Sequence, residues 1–385
     1  MIPRRTFLRS LSVAPFVVRS ALAKKSIAAP ARVLIGSNGK GPGAGIYTAD
    51  WNATTGELGE ITLAAELSTP TFLTVYPNAG QHFVYAVNEG GSAGIKGVSA
   101  LTTTAGSKTL TLINQQDTGG AGPTHLSVSP DGSSVFVANY GGGSASSFHV
   151  RPDGSLSTAV SHFQYTGSGP NKERQDHSFA HCAIPSPDGK FLFVNDLGLD
   201  QIHTYRVNPA TAELNPTEPP AWVGRPGSGP RHSVFSPDGK FLYSVNELNS
   251  TIDTLAWDAT SATLTLKATA STLPAGFAPN TAFVGEVAIS HDGRFVYAGN
   301  RVADDSIAVF ARDKSTGLLQ LVQNAVNGGK NPRHITLDPT NRWMLLADQD
   351  SSTIVVHARN RTSGELSAPT HTYPVKSKPL CIVFI

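Results

Sequence analysis

Six turn landmarks recur along the chain at nearly equal intervals, and no other property of the sequence restricts the fold as severely. Tyr76-Pro77-Asn78, Ser129-Pro130-Asp131-Gly132, Ser186-Pro187-Asp188-Gly189, Ser236-Pro237-Asp238-Gly239, Ser290-His291-Asp292-Gly293 and Asp338-Pro339-Thr340-Asn341 begin 53, 57, 50, 54 and 48 residues apart. Short apolar runs flank each turn. Around the fourth, Arg231-His232-Ser233-Val234-Phe235 precedes it and Phe241-Leu242-Tyr243-Ser244-Val245 follows it, which is the pattern of a β-hairpin. A period of about 50 residues made of strands and turns predicts a propeller with one four-stranded blade per repeat. The 37 glycines, the 26 prolines and the absence of a sustained helical period agree with an all-β chain rich in turns.

Six blades are directly visible, and the two ends of the chain supply a seventh. Pro379-Leu380-Cys381-Ile382-Val383-Phe384 matches the inner strand Pro123-Thr124-His125-Leu126-Ser127-Val128, and the strand that should follow it is found at Arg32-Val33-Leu34-Ile35-Gly36-Ser37-Asn38. The expected fold is therefore a seven-bladed β-propeller whose ring closes by pairing the N-terminal strand with the C-terminal one, leaving only short protected edges. Outer hairpins with polar tips, such as Arg151 to Leu156 and Asn208 to Leu214, read as scaffold. The longer connections, Gly90 to Gly94, Thr166 to Ser178 and Pro274 to Gly285, are the expected loops over a binding face.

The first 23 residues read differently. Arg4-Arg5-Thr6-Phe7-Leu8, an apolar stretch from Leu11 to Val18 and Ala21-Leu22-Ala23 have the order of a twin-arginine export signal with a small-residue cleavage site. The expected organisation is signal peptide 1–23, linker 24–30 and propeller 31–385, with the twin-arginine export machinery as a partner and the periplasm or exterior as destination. No other stretch approaches the ~18 apolar residues a membrane span needs. Cleavage after Ala23 would remove four arginines and no acids, leaving 26 basic against 28 acidic side chains, which argues against nucleic acid as a partner. Cys182 and Cys381 both fall in innermost strands and are expected to be buried free thiols.

The second strand of each hairpin runs antiparallel to the first, so its end returns to the level at which the first began. Arg231, His232 and Glu247 should therefore share one face. Applied to every repeat, this gives two rings at one mouth of the channel. The inner strand starts contribute Thr71-Phe72, Thr124-His125, His181-Cys182, Arg231-His232, Gly285-Glu286, Arg333-His334 and Leu380-Cys381. The following strand ends contribute Gly39, Glu89, Tyr140, Leu197, Glu247, Arg301 and Gln349. A single histidine at a strand start is ordinarily a hydrogen-bonded structural residue, and the recurring Asn139, Asn246 and Asn300 read as strand-end residues every blade needs. Glu247 and Arg301 are different, because a charge in a partly dehydrated channel is costly unless it is paired or used.

Arginine offers a fixed fork of donors to a carboxylate, phosphate or oxyanion, and Glu or His can move a proton near neutral pH. Together they suit an anionic or carbonyl-bearing small molecule. The chain contains no G-x-S-x-G elbow, P-loop or H-E-x-x-H motif, so covalent serine catalysis and nucleotide binding have no sequence support. An oxygen-type metal site drawn from Glu89, Glu247 or Glu286 is opposed by the arginines at the same mouth, and no cofactor is expected.

Gly122-Pro123-Thr124-His125, Arg174-Gln175, Ala180-His181, Asn195-Asp196-Leu197-Gly198, Gly229-Pro230-Arg231-His232, Asn246-Glu247, Asn300-Arg301 and Asn331-Pro332-Arg333-His334 together resemble the seven-bladed propeller lactonases. That family includes a bacterial 6-phosphogluconolactonase and the fungal carboxy-muconate lactonising enzymes. The resemblance implies a metal-independent site acting on a lactone or its hydroxy acid, with catalytic residues His181, Arg231, Glu247 and Arg301. His125, His177, His232, Arg333, His334, Glu286 and Glu89 are the accompanying substrate-binding candidates. In the working mechanism the arginines hold the lactone and Glu247 or His181 activates water. Where the family often shows His-Ala-His, this chain has Phe179-Ala180-His181, with His177 two residues earlier as the substitute for the first histidine. A cycloisomerase or a ligand-binding propeller without enzymatic activity would use the same scaffold.

Overall fold

The computed structural model describes residues 32–90, 97–278 and 281–385. The predicted signal peptide and linker, and part of the Gly90–Gly94 connection, lie outside the described residues. Seven antiparallel sheets are arranged in chain order. The first six have innermost strands Pro70–Asn78, Pro123–Val128, Ala180–Pro185, Pro230–Phe235, Phe283–Ile289 and Pro332–Leu337. The seventh is composite. Pro379–Phe384 is its innermost strand and pairs with Arg32–Ser37, which pairs in turn with Gly45–Asn52. Ring closure by the two chain ends is thus as the repeat predicted.

The hairpin turn is held by its own side chains. In the Ser-Pro-Asp-Gly copies the serine Oγ donates to the aspartate Oδ1 at 2.5–2.6 Å and accepts the amide of the returning strand at 3.0 Å. The glycine takes the left-handed conformation (φ 76° at Gly132 and 70° at Gly239) that a Cβ would penalise.

Each blade has two apolar faces, and the core consists of seven clusters that each span two neighbouring blades. Phe83, Tyr85 and Val87 of the first blade pack on Leu126, Val135 and Phe148 of the second. Val33, Ile35 and Trp51 of the seventh pack on Leu345, Ile354 and Val356 of the sixth. Aromatic latches reinforce these interfaces. Tyr243 and Tyr297 donate their hydroxyls to the carbonyls of Gly317 and Gly364 in the outer turn of the next blade, both at 2.8 Å. A Cβ on either glycine would stand within 2.2–2.4 Å of the Phe241 or Phe295 ring, which explains glycine in those turns. Cys182 and Cys381 are buried and free, and burial pushes the Cys182 thiol up to about 12. Among the described residues no helix is long and apolar enough to cross a membrane.

Because the seventh blade takes its innermost strand from the C-terminus, deleting residues 379–385 should expose two interface cores at once. The expected outcome is loss of the cooperative thermal transition followed by circular dichroism, and a truncated protein melting at the parent temperature would contradict the closure argument.

Candidate functional site

The innermost strand of every blade carries a β-bulge at the same place. Pro70 pairs with Asn88 and Phe72 with Val87; Ala180 pairs with Asp196 and Cys182 with Asn195; Pro332 pairs with Asp348 and His334 with Ala347. The other four blades show the same one-residue shift. Thr71, His181 and Arg333 are therefore extra residues in their ladders. A bulge re-aims its side chain, and here it sorts the predicted ring into two levels. Thr71, Thr124, His181, Arg231, Arg333 and Leu380 line a small cavity together with Phe72, His232 and Glu89. Its enclosed volume is ≈ 20 Å³, about the size of a single water.

The predicted residues divide accordingly. His181, Arg231, His232, Arg333 and Glu89 reach the cavity. His125 and His334 do not. Their rings pack against Phe72 at 4.3 and 5.5 Å, and each Nδ1 accepts a backbone amide, from Ala183 and Ile382 respectively. A strand placed one residue out of simple alternation puts the second member of Thr124-His125 and of Arg333-His334 behind the first, which spacing alone did not reveal. His177 is also elsewhere. It is 48% exposed, bonded to Asp176 at 2.8 Å and packed on Phe179 at 3.9 Å, so its ring is not brought to the cavity in place of the histidine that Phe179 replaces.

Glu247 stands at the end of its strand, in a single 3₁₀ turn, and is 2% exposed. Three guanidiniums share its carboxylate: Arg174 at 2.5 Å, Arg301 at 2.8 Å and Arg231 at 3.0 Å. Burial alone would push this carboxyl up, but Arg301, Arg231 and Arg174 outweigh it and hold it at about 2. A carboxylate so deeply ionised and so fully engaged is a poor proton acceptor. The expected role of Glu247 as water-activating base is therefore revised: its geometry fits a counter-charge that fixes the arginines. Arg174 was not among the predicted site residues. It comes from the Thr166–Ser178 connection, outside the repeat, where Gln175 bonds the carbonyl of Leu197 and the side chain of Asp200, both at 2.8 Å. The length of that loop and the Arg174-Gln175 pair within the family resemblance were its sequence signals.

The remaining polar groups are unequally satisfied. Arg231 also donates to the carbonyl of Gly285. Arg333 has no hydrogen bond or ion pair among the described residues, and burial with the charges of Arg231 and Arg301 pushes its guanidinium down to about 9, still protonated at neutral pH. Burial, then Arg231, His232 and Arg333, hold His181 well below the ordinary histidine value. Burial, then Arg231, His334 and Arg333, do the same to His232. Both imidazoles are neutral at neutral pH. The Thr71 hydroxyl and the His181 Nδ1 are buried without partners. Aromatic side chains adjoin these groups: Tyr140 lies 4.7 Å from Phe179 and 5.1 Å from His181, and Arg174 sits 5.0 Å over Phe283. Among the described residues no group of three or more His, Cys, Asp or Glu is arranged to hold a metal ion.

The family model described as lactonase, 7-bladed beta-propeller, matches residues 32–384. The chain is 32% identical over 351 residues to the 6-phosphogluconolactonase of Bacillus subtilis (strain 168), covering 91% of this chain and 97% of that protein. It is 33% identical over 329 residues to the 6-phosphogluconolactonase of Formosa agariphila, covering 85% and 92%. The solved periplasmic gluconolactonase of Pseudomonas aeruginosa superposes with a TM-score of 0.83 at 32% identity, over 92% of this chain and 98% of the other.

Replacing Glu247 with alanine should leave three guanidiniums without their carboxylate and cost about 3–5 kcal/mol, read as a lower urea midpoint. The depressed carboxyl adds stability that is fully present above its ordinary value of 4.5 and is lost as pH falls toward about 2. The midpoints of wild type and Glu247→Ala should therefore converge in acid. A gap independent of pH between 5 and 2 would contradict this linkage.

Proposed function

The chain belongs to the seven-bladed β-propeller lactonase family, and we propose that it hydrolyses a sugar-type lactone to its hydroxy acid at the arginine and histidine cavity on the propeller axis. The observation that carries this reading is the unequal pairing of the arginines. Glu247 pairs with Arg174, Arg231 and Arg301, whereas Arg333 faces the cavity without an ion pair among the described residues, with Glu247 and Glu89 acting on it only from beyond pairing distance. An unpaired guanidinium crowded by two others favours an incoming anion or a carbonyl oxygen that becomes one.

In this reading the lactone ring lies at the mouth, among Tyr140, Phe179 and Phe283, and its carbonyl points toward Arg333 and Arg231. Water attacks the carbonyl carbon, the oxyanion is held by the guanidiniums, and the ring C–O bond breaks to give the hydroxy acid. A neutral imidazole takes the water proton, and His181 and His232 are the two that line the cavity. Glu247 acts as a positioning residue for the arginines, and Glu89 contributes to the rim. The same guanidiniums would hold a phosphate or carboxylate on the substrate.

Export bears on which lactone is met. The twin-arginine pattern at Arg4 and Arg5 and the periplasmic relative from Pseudomonas aeruginosa support an exported protein acting on an unphosphorylated aldonolactone, because phosphorylated sugars are intracellular metabolites. The hydrolytic direction follows the names that the relatives carry.

The test is proton release in a pH-stat by the mature protein with phosphorylated and unphosphorylated aldonolactones, with and without a chelator. Hydrolysis that survives the chelator, prefers the unphosphorylated substrates and falls at least about 10²-fold in kcat/KM with Arg333→Ala is the expected outcome. No hydrolysis of any lactone would overturn the reading.

A further inference from the structure

The cavity holds two imidazoles of the same charge state, and their surroundings differ in one respect that decides which can accept a proton. His232 Nδ1 lies 2.9 and 3.0 Å from the two carboxylate oxygens of Glu286, which projects from the neighbouring blade. A carboxylate in that position accepts only, so Nδ1 carries the hydrogen and Nε2 presents a lone pair. That Nε2 is buried and has no partner. Glu286 is itself fixed, because its Oε1 accepts the amide of Val287 at 3.0 Å and its Oε2 lies 3.9 Å from His334 Nε2. The neighbouring histidines have the opposite tautomer: Ala183 and Ile382 donate to Nδ1 of His125 and His334, leaving their hydrogens on Nε2. His181 lines the cavity too, but its Nδ1 is unpartnered and no carboxylate of the described residues pairs with its ring.

We infer that His232 is the base that activates water and that Glu286 is its positioning residue, a carboxylate–imidazole dyad assembled across two blades. The inference rests on the lactonase reading and names the proton acceptor within it. When water adds to the lactone carbonyl carbon, a new C–O bond forms, the carbonyl π pair moves onto oxygen under Arg333 and Arg231, and the water proton goes to His232 Nε2. Collapse of the tetrahedral intermediate breaks the ring C–O bond, and the imidazolium returns its proton to the departing ring oxygen as a hydroxyl. The carboxylic acid so formed then ionises and releases one proton to solvent. Between those two transfers His232 carries a positive charge beside Arg231 on its own strand and Arg333 on the sixth blade. His125, His181 and His334 also face it from their blades, and the Glu247 carboxylate acts on it from farther away. Glu286 is the carboxylate in direct contact that offsets this charge, much as a buried aspartate does for the histidine of a serine-protease triad. His181 protonated at the same place would meet the same guanidiniums with no such partner, and is left to contact the substrate.

Two measurements test the dyad separately from the reading it rests on. The first needs no substrate: ¹⁵N-imidazole spectra of the whole protein, with His232 assigned by His232→Gln, should show the neutral Nδ1–H tautomer at pH 7, and Nε2–H or an imidazolium would overturn the dyad whatever the protein hydrolyses. The second is the pH–rate profile on the lactone found active. The working form is neutral His232, so activity is retained at neutral pH and falls as pH drops through its pKa. His232→Gln should lower kcat by ~10²–10⁴-fold while KM changes by less than about threefold. Glu286→Gln keeps an acceptor for Nδ1–H but removes the charge, so the acid limb should move to lower pH and kcat should fall by about tenfold or more, with Glu286→Asp restoring part of both. An unmoved acid limb in Glu286→Gln, or a larger kcat loss in His181→Gln than in His232→Gln, would assign the base elsewhere. Thermal melts run beside these variants separate loss of the dyad from loss of the fold.

Discussion

A four-stranded blade with two apolar faces can bury them only against further copies of itself, and the rest of this structure follows from that constraint. The seven apolar clusters each bridge two blades, so no blade has a private core and an open row would leave two faces in water. The ring must close. It does so by splitting one blade between Arg32–Ser37 and Pro379–Phe384, which makes chain ends that would otherwise fray part of the central structure. Closure also brings seven innermost strands to one axis, where there is no room for a hydrophobic core of ordinary width. The axis therefore becomes the place where strand starts, with their free backbone and bulges, meet polar side chains from every repeat.

At that axis the electrostatic problem is to hold four arginines close together without losing the fold. Glu247 solves most of it by accepting three of them. This leaves the site in two parts with different chemistry. On one side are guanidiniums already neutralised, fixed in orientation and suited to receive charge that develops late. On the other is Arg333, without an ion pair among the described residues, beside imidazoles that burial first, and the positive surroundings second, hold well below the ordinary histidine value. In the proposed reaction, a lactone carbonyl turning into an oxyanion and a water giving up a proton would meet those two parts. Glu247 and Glu286, which look alike in the sequence as lone acids at strand ends or starts, have different surroundings, because one contacts guanidiniums and the other an imidazole.

Reading the chain by its repeat brought Arg231, His181 and Arg333 to one level, and these residues line one cavity, because alignment on Ser-Pro-Asp-Gly turns fixes the level at which each strand starts and ends. Arg231, Glu247 and Arg301 were legible for that reason: charge departs there from the residues that other repeats place at the same position. What could not be read was depth. In Arg333-His334 and Thr124-His125 two adjacent residues should face opposite sides of a regular strand, yet a bulge turns the first into the cavity and leaves the second packed behind it. Nothing in the spacing announces a bulge. Arg174 escaped for a different reason, since it lies in a connection with no counterpart in the repeat and its partner Glu247 is 73 residues away.

The sequence by itself determined the number of blades, the site of ring closure and the end of the channel at which the charged strand starts and ends gather, because these depend on a period and on antiparallel return, both local and repeated. Only the tertiary structure decided which acid meets which base. Glu247 falls among Arg174, Arg231 and Arg301, and Glu286 beside His232, because those contacts join residues from different blades, and their distances are set by the packing of whole sheets around the axis rather than by any interval along the chain.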